Sequence, residues 1–238
     1  MSLKVGVVIV CAGVGERLGN IDKAVLDLEG VPLFFHSVLI FNKIKSIKQI
    51  VLVVNKQHFE LAEKMISSTG NATFGKNNKN ILLVEGGKKR KISVLNGLES
   101  LKKDISHVLI HDGARPLITG EIINRIIDKL KIYSAVICGI KVNDCLKLSG
   151  DQSIIKKTLK REKAYLIQTP QAFKKELILA AYDKFFNREV YDDSQLVELM
   201  GEKIKIVKGG VTNFKITYPE DIFLAKLILS NRNLKKSC

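Results

Sequence analysis

Hydrophobic positions along the chain gather into short, nearly unbroken runs, separated by stretches in which they recur every three or four residues. The runs are Val5–Cys11, Gln49–Val54, Ile81–Glu85, His107–His111 and Ala135–Ile140. Apolar runs of this length predict strands covered on both faces, as in a parallel sheet. Helical spacing covers roughly Leu33–Asn42, His58–Ser67, Lys91–Leu101 and Glu121–Lys131. Strand and helix alternate, which predicts an α/β fold: a doubly wound, mostly parallel twisted sheet, in one domain over residues 1–238.

The segment Lys141–Lys160 breaks the rhythm. Polar and apolar residues alternate there around Ser149-Gly150-Asp151, a turn signal. It predicts a protruding two-stranded β-arm over 141–160. An isolated hairpin is marginal by itself and gains by packing on another surface, so a homodimer is expected. Beyond it the pattern predicts a strand at Ala164–Thr169, helices near Lys174–Phe186 and Ser194–Met200, and a strand at Lys203–Lys208. A last helix starts at Pro219, where Pro, Glu220 and Asp221 make a favourable first turn. The tail NRNLKKSC is expected to fray, and Thr69–Asn80 is expected to be a surface loop.

Composition narrows the setting. The chain has 238 residues, 46% of them hydrophobic and 26% charged, as expected of a globular protein. No apolar run approaches the ~20 residues that span a bilayer, so no membrane role is expected. MSLKVGVVIV reads as a buried first strand rather than a signal peptide. Four cysteines without CxxC spacing point to a reduced, cytoplasmic protein.

The net charge of +15 makes polyanions natural partners: nucleic acid or phosphorylated small molecules. A basic, non-catalytic nucleic-acid or polyanion binder is the alternative from another class, carried by this charge and the run KKRK at 88–91. Against it, only seven of the 39 cations are Arg and only 6% of residues are aromatic. Nucleic-acid readers usually interleave aromatics with their basic stripe. Such a binder would also leave the glycines at several strand ends unexplained.

Those glycines carry the candidate chemistry. In an open α/β sheet, ligands sit beyond the carboxyl ends of the strands. CAGVGERLGNIDK leaves the first strand with Gly13, Gly15, Gly19, Arg17 and Lys23. Glycine lets backbone N–H groups approach an anion closely, and the cations match phosphates. The spacing is looser than a dinucleotide fingerprint, and Val54-Asn55-Lys56 offers no carboxylate for a ribose. The GK[ST] of a P-loop is absent. A plain Gly-rich turn stays open on this loop alone. Two further strand ends favour phosphate binding. EGGKKRKISVLNGL (85–98) puts Gly86-Gly87 before a helix that opens with Arg90 and Ser93, and HDGARP (111–116) puts Asp112 and Arg115 beside Gly113. His58 and His107 are expected to be structural and His36 packed; His111 either orients Asp112 or packs. No His/Cys cluster predicts a zinc site.

Together with VNDCLK, QTPQAF and NFKITYPED, these motifs occur in the order found in sugar-phosphate cytidylyltransferases. The chain resembles that family from about Val5 to Leu229. The resemblance implies a Rossmann-like nucleotidyltransferase that joins CTP to a sugar-alcohol phosphate and releases pyrophosphate, with Mg²⁺ or another divalent cation accompanying CTP. The acceptor it implies is 2-C-methyl-D-erythritol 4-phosphate, an isoprenoid precursor; ribitol 5-phosphate is the alternative. By the family pattern Arg17, Lys23 and Lys215 are catalytic. Ala12, Gly13, Gly15, Gly87, Lys88, Arg90, Ser93 and Gly113 border the nucleotide. Asp112, Arg115, Cys145, Arg161 and Tyr191 face the acceptor, with Cys145 and Arg161 reaching across a dimer. No metal ligand is assigned. The chain departs from the pattern at Asp22, where Pro is common, in a first loop one residue short, at Lys88, where an acid is usual, and at Cys145 and Tyr191, where Thr is frequent.

Overall fold

A computed structural model describes residues 3–13, 22, 25–68 and 80–237. The expected loop at Thr69–Asn80 lies, but for Asn80, outside them. Seven strands form the central sheet: β1 (Val5–Val10), β4 (Ile47–Val54), β5 (Asn80–Glu85), β6 (His107–Asp112), β7 (Ala135–Lys141), β10 (Tyr165–Lys174) and β11 (Ile204–Lys208), in the order β11-β7-β10-β6-β1-β4-β5. β1 pairs in parallel with β4 and β6, placing Val7 opposite both Ile50 and Leu109. β10 runs antiparallel between β6 and β7, and β11 runs parallel to β7. The sheet is therefore mostly parallel, as the sequence predicts, with one reversed strand.

The two faces are covered as the near-continuous apolar strands require. On one face α1 (Leu33–Lys43), α2 (Phe59–Ser68) and α4 (Gly120–Leu130) bury Phe34, Phe41, Ile123 and Ile126 against Val7 and Leu109. On the other, α3 (Arg90–Glu99), α5 (Lys175–Phe185) and α6 (Asp193–Leu199) bury Val94, Leu98, Tyr182 and Leu196 against Val8 and Val108. α4 shows the local logic plainly. Thr119 caps its N-terminus, its hydroxyl accepting from the Ile122 N–H, and Ile122, Ile123, Ile126, Ile127 and Leu130 form one buried stripe. Each such side chain contributes about 1.5–3 kcal/mol on burial.

A third, smaller core joins distant pieces of chain. β2 (Asp27–Leu28) and β3 (Val31–Pro32) make a hairpin that sequence reasoning missed, although Glu29-Gly30 carries its signal. Both residues have positive φ, 56° and 76°, as a tight hairpin turn needs. Leu28 and Leu33 pack there with Leu117, Ile216 and Ala225 of α7 (Pro219–Ser237). That helix continues to Ser237, through the tail expected to fray.

The predicted arm is a hairpin of β8 (Leu146–Ser149) and β9 (Ile155–Leu159), and every residue from Asp151 to Lys160 is exposed. β10 extends to Lys174, five residues beyond its expected end at Thr169; its pairing with β7 shifts between Gln168 and Gln171, around the cis Thr169–Pro170 bond.

Candidate functional site

Strand direction gathers the predicted loops. β1, β4, β5 and β6 run the same way, and two reversals through β10 bring β7 and β11 back to that direction. The segments after β1, β5, β6 and β11 thus leave from one edge of the sheet. The chain crosses from β5 to β6 on the far side of β1, which makes this edge a switch point of the kind where ligands bind.

Close backbone approach shapes this rim. The Gly86 N–H donates to the Val54 carbonyl and the Cys11 N–H to the Val53 carbonyl, so both loops peel off beside β4. A Cβ on Gly86 would lie 2.1 Å from the Ala12 Cβ, and one on Gly113 would lie 2.0 Å from the Cys11 Sγ. No real side chain tolerates the first distance, so Gly86 lets the β1 and β5 loops touch. Among the described residues nothing lies within 4 Å of a Cβ placed on Gly13. Ser93, buried in the first turn of α3, accepts from the Gly87 N–H at 3.0 Å and so folds that loop. Lys89 caps α3 without a side-chain hydrogen bond, and Lys88 is exposed.

The electrostatic centre is Asp112, the last residue of β6. Its Oδ1 accepts from Arg90 Nε at 3.0 Å and its Oδ2 from Lys215 Nζ at 2.9 Å. Its backbone N–H donates to Thr169 Oγ1. Burial alone would raise its pKa. Arg90 and Lys215 overcome that and hold the carboxyl well below the usual range. Arg90 also reaches Asp193, and its own pKa is raised well above normal: burial opposes this, and the charges of Asp193 and Asp112 prevail. Lys215 is set in place by its neighbour, since the Ile216 N–H donates to the Ala114 carbonyl and the Ile216 side chain sits in the third core. Arg115 donates to the Asn213 carbonyl, and burial lowers its pKa.

The histidines divide as residue type and position suggest. His111 is fully buried, stacked edge-on against Phe41 and ringed by Ser37, Thr169 and the Arg115 carbonyl. Burial lowers its pKa to about 3, so it is a neutral packing residue, joined to the Asp112 backbone through Thr169 Oγ1. His36 bonds the Leu28 carbonyl, and His107 opens β6. His58 is buried and bonds Asp22 Oδ2 at 2.7 Å, with Gln57 at 3.2 Å from the same oxygen. Asp22, where the family pattern has Pro, is thereby tied to the turn before α2.

The structure brings Ala12, Gly13, Gly87, Arg90, Ser93, Asp112, Gly113 and Lys215 to one rim, with Arg115 beneath it. Gly15, Arg17 and Lys23 lie outside the described residues. Cys145 and Arg161 share a hollow at the base of the arm with Thr158 and Lys160, where Arg161 donates to the Asn143 carbonyl. Tyr191 is wholly exposed before α6, its N–H donating to Gln195 Oε1. Among the described residues, no hydrogen bond links these three to the Asp112 cluster. Sequence reasoning missed Asp193, Asn213 and Thr169, all buried and polar. NFKIT contains Asn213, in the segment between β11 and α7, and QTPQAF contains Thr169, in β10. Asp193 follows Asp192, whose side chain caps α6, and reads as part of that cap.

Comparison with known proteins adds a further finding. A family model, IspD, described as 2-C-methyl-D-erythritol 4-phosphate cytidylyltransferase, matches residues 5–231. A relative of that name from Alkaliphilus oremlandii is 39% identical over 232 residues, 96% of this chain and 96% of its own. One from Caldanaerobacter subterraneus is 38% identical over 95% of this chain and 99% of its own. Among solved structures, 4-diphosphocytidyl-2C-methyl-D-erythritol synthase from Anaerococcus prevotii superposes with a TM-score of 0.83 at 32% identity, over 97% of this chain and 100% of that one.

Proposed function

The chain belongs to the 2-C-methyl-D-erythritol 4-phosphate cytidylyltransferase family, and from that premise we infer how its residues serve the reaction. It is a nucleotidyltransferase of isoprenoid biosynthesis that joins CTP to 2-C-methyl-D-erythritol 4-phosphate, giving the CDP-alcohol and pyrophosphate. An oxygen of the acceptor phosphate forms a bond to the α-phosphorus of CTP, and the bond from that phosphorus to the bridging oxygen breaks. The acceptor phosphate is already a nucleophile near neutral pH, so no general base is needed. In-line positioning and positive charge around the phosphorus are.

The observation that carries this reading is the pairing of Lys215 and Arg90 on one buried carboxylate at the rim of the sheet. Lys215 is the cation at the reacting phosphorus, a role the family pattern shares with Lys23 and Arg17, which lie outside the described residues. The bare backbone of Ala12, Gly13 and Gly87, with the loop that Ser93 folds, borders the nucleotide beside Lys88, Arg90 and Gly113. Asp112 and Arg115 lie between ribose and acceptor. Cys145 and Arg161 at the arm reach the acceptor bound to the other subunit of a homodimer, and Tyr191 faces the acceptor. In support, the arm exposes Leu148, Ile154, Ile155 and Leu159, an apolar surface that a second copy would cover.

Among the described residues no group of three His, Cys, Asp or Glu side chains could hold a metal. Asp112, the carboxylate that the described residues place at the rim, has both oxygens engaged by cations. The donor set does not suit a protein-held Mg²⁺, and a divalent ion would travel with the triphosphate oxygens. No helix among the described residues is long and apolar enough to cross a membrane. Cys11, Cys138 and Cys145 are free thiols, in keeping with a cytoplasmic setting.

Pyrophosphate release with CTP and either acceptor tests the reading. Faster turnover is expected with 2-C-methyl-D-erythritol 4-phosphate; faster turnover with ribitol 5-phosphate would overturn it.

A further inference from the structure

Asp193 touches neither Asp112 nor Lys215, yet one unbroken chain of contacts connects it to both. It is 2% exposed, the first residue of α6. Its Oδ2 accepts from Arg90 Nη2 at 2.8 Å, and its Oδ1 accepts from the Tyr182 hydroxyl at 2.6 Å. Arg90 turns its Nε to Asp112 Oδ1, which leaves Asp112 Oδ2 for Lys215. The order in space is Tyr182, Asp193, Arg90, Asp112, Lys215, drawn from α5, α6, α3, β6 and the segment before α7.

We propose that Asp193, held by Tyr182, is a positioning residue that orients Lys215 through Arg90 and Asp112. The proposal rests on the reading above that Lys215 serves at the reacting phosphorus. The physical argument is a competition between two carboxylates for one guanidinium. An Arg facing a single carboxylate prefers the two-pronged fork, which takes both of its oxygens. If Arg90 closed that fork on Asp112, it would share the oxygen that now holds the Lys215 ammonium and crowd that cation. Asp193 prevents this by engaging Nη2, so Arg90 bridges two acids with one prong on each. Among the described residues the ammonium then has a single fixed partner, which sets its direction.

The geometry around Asp193 suits that role. A buried carboxylate must be fully partnered, and both of its oxygens are. The Tyr182 hydroxyl fixes the carboxylate plane, and its own pKa is raised, by burial first and by the adjacent Asp193 charge second, so it remains a donor. The start of α6 is pinned to β10: Gln171 Nε2 donates to Asp192 Oδ2 at 2.7 Å, and the Ser194 N–H donates to Gln171 Oε1 at 3.0 Å. Asp193 therefore cannot follow Arg90 if the latter swings.

A double-mutant cycle on kcat tests the relay, using Asp193→Asn, Lys215→Ala and the pair. Asp193→Asn is expected to lower kcat about tenfold while the KM for CTP moves less than about threefold, and to have almost no effect once Lys215 is Ala. An unchanged kcat in Asp193→Asn, or the same fold-loss in both backgrounds, would overturn the relay. Full kcat in Lys215→Ala alone would instead overturn the role of Lys215, and the relay with it. Should thermal melts show that Asp193→Asn does not fold, Tyr182→Phe, which keeps the ring and every charge, takes its place in the cycle. A smaller loss of kcat is then expected, again only while Lys215 is present; no loss, or an equal loss without Lys215, would overturn the relay.

Discussion

Lys215 and Asp112 are 103 residues apart in the chain and 2.9 Å apart in space. Neither alone distinguishes a phosphate site from an ordinary surface ion pair. The pair is distinguished by its setting. Asp112 ends a fully buried strand, Arg90 takes its other oxygen, and both cations remain about one-third exposed toward the rim. Arg90 is shared with Asp193, so these two cations and two carboxylates balance in charge, and the cluster fixes the Lys215 ammonium at the rim rather than adding net charge there.

Removing the anion should hurt twice. Asp112→Asn leaves Arg90 and Lys215 close together with one negative partner fewer. Breaking one member of a largely buried pair costs about 3 kcal/mol, discounted here for the partial exposure of both cations. We expect about 1–3 kcal/mol lower stability by denaturant unfolding, and a fall in kcat of at least tenfold in steady-state assays.

The contact between the first two loops yields a rescue experiment. Gly86→Ala places a Cβ 2.1 Å from that of Ala12, so one loop must move. Overpacking of this kind costs about 1–3 kcal/mol. CTP affinity measured by calorimetry should fall about tenfold or more. Ala12→Gly added to Gly86→Ala should restore most of it; no recovery would show that the two loops do not meet as described.

His111 predicts a pH dependence of stability. Its folded pKa, about 3, lies below the ordinary histidine value of 6.5, so between those values the unfolded chain binds the extra proton. Stability therefore rises with pH across that window and is lost on acidification from about 6.5 downward, by at most about 1.4 kcal/mol per pH unit. Thermal melts from pH 7 to pH 4.5, above the range where Asp112 protonates, should show this slope. The slope should flatten in His111→Asn, even if that variant is less stable throughout.

The arm offers a test of assembly. Leu148 and Ile155 are exposed on its two strands. If the arm builds the proposed homodimer, Leu148→Glu with Ile155→Glu should shift it to monomer in sedimentation experiments, since burying two new carboxylates opposes association. Turnover should fall with the dimer if Arg161 serves the other subunit.

Periodicity made most of the sheet legible. β1, β6 and β7 fall within a residue or two of their apolar runs, because a strand buried on both faces leaves almost no polar residue in its sequence. The arm was legible for the opposite reason: alternation around Gly150 marks a hairpin with one apolar face. β2 and β3 are two residues each, too short for any period to register. The extension of β10 was hidden by Pro170, which argues against a central strand in sequence terms; here the β10–β7 register shift accommodates it. For the site, glycine loops at strand ends pointed to Gly87, Ser93, Asp112 and Gly113. Asp193 stayed hidden because an acid at the start of a helix has a sufficient local explanation.

By itself, the order of apolar runs determined an α/β sheet, and the glycine-rich strand ends favoured a phosphate-binding rim, since both follow from local burial and local backbone freedom. The direction of β10 and the meeting of Arg90, Asp112, Asp193 and Lys215 were decided only by the folded chain. Strand direction depends on which neighbour a strand pairs with. A buried charge chooses its partners by proximity across elements, and no spacing along the sequence encodes that proximity.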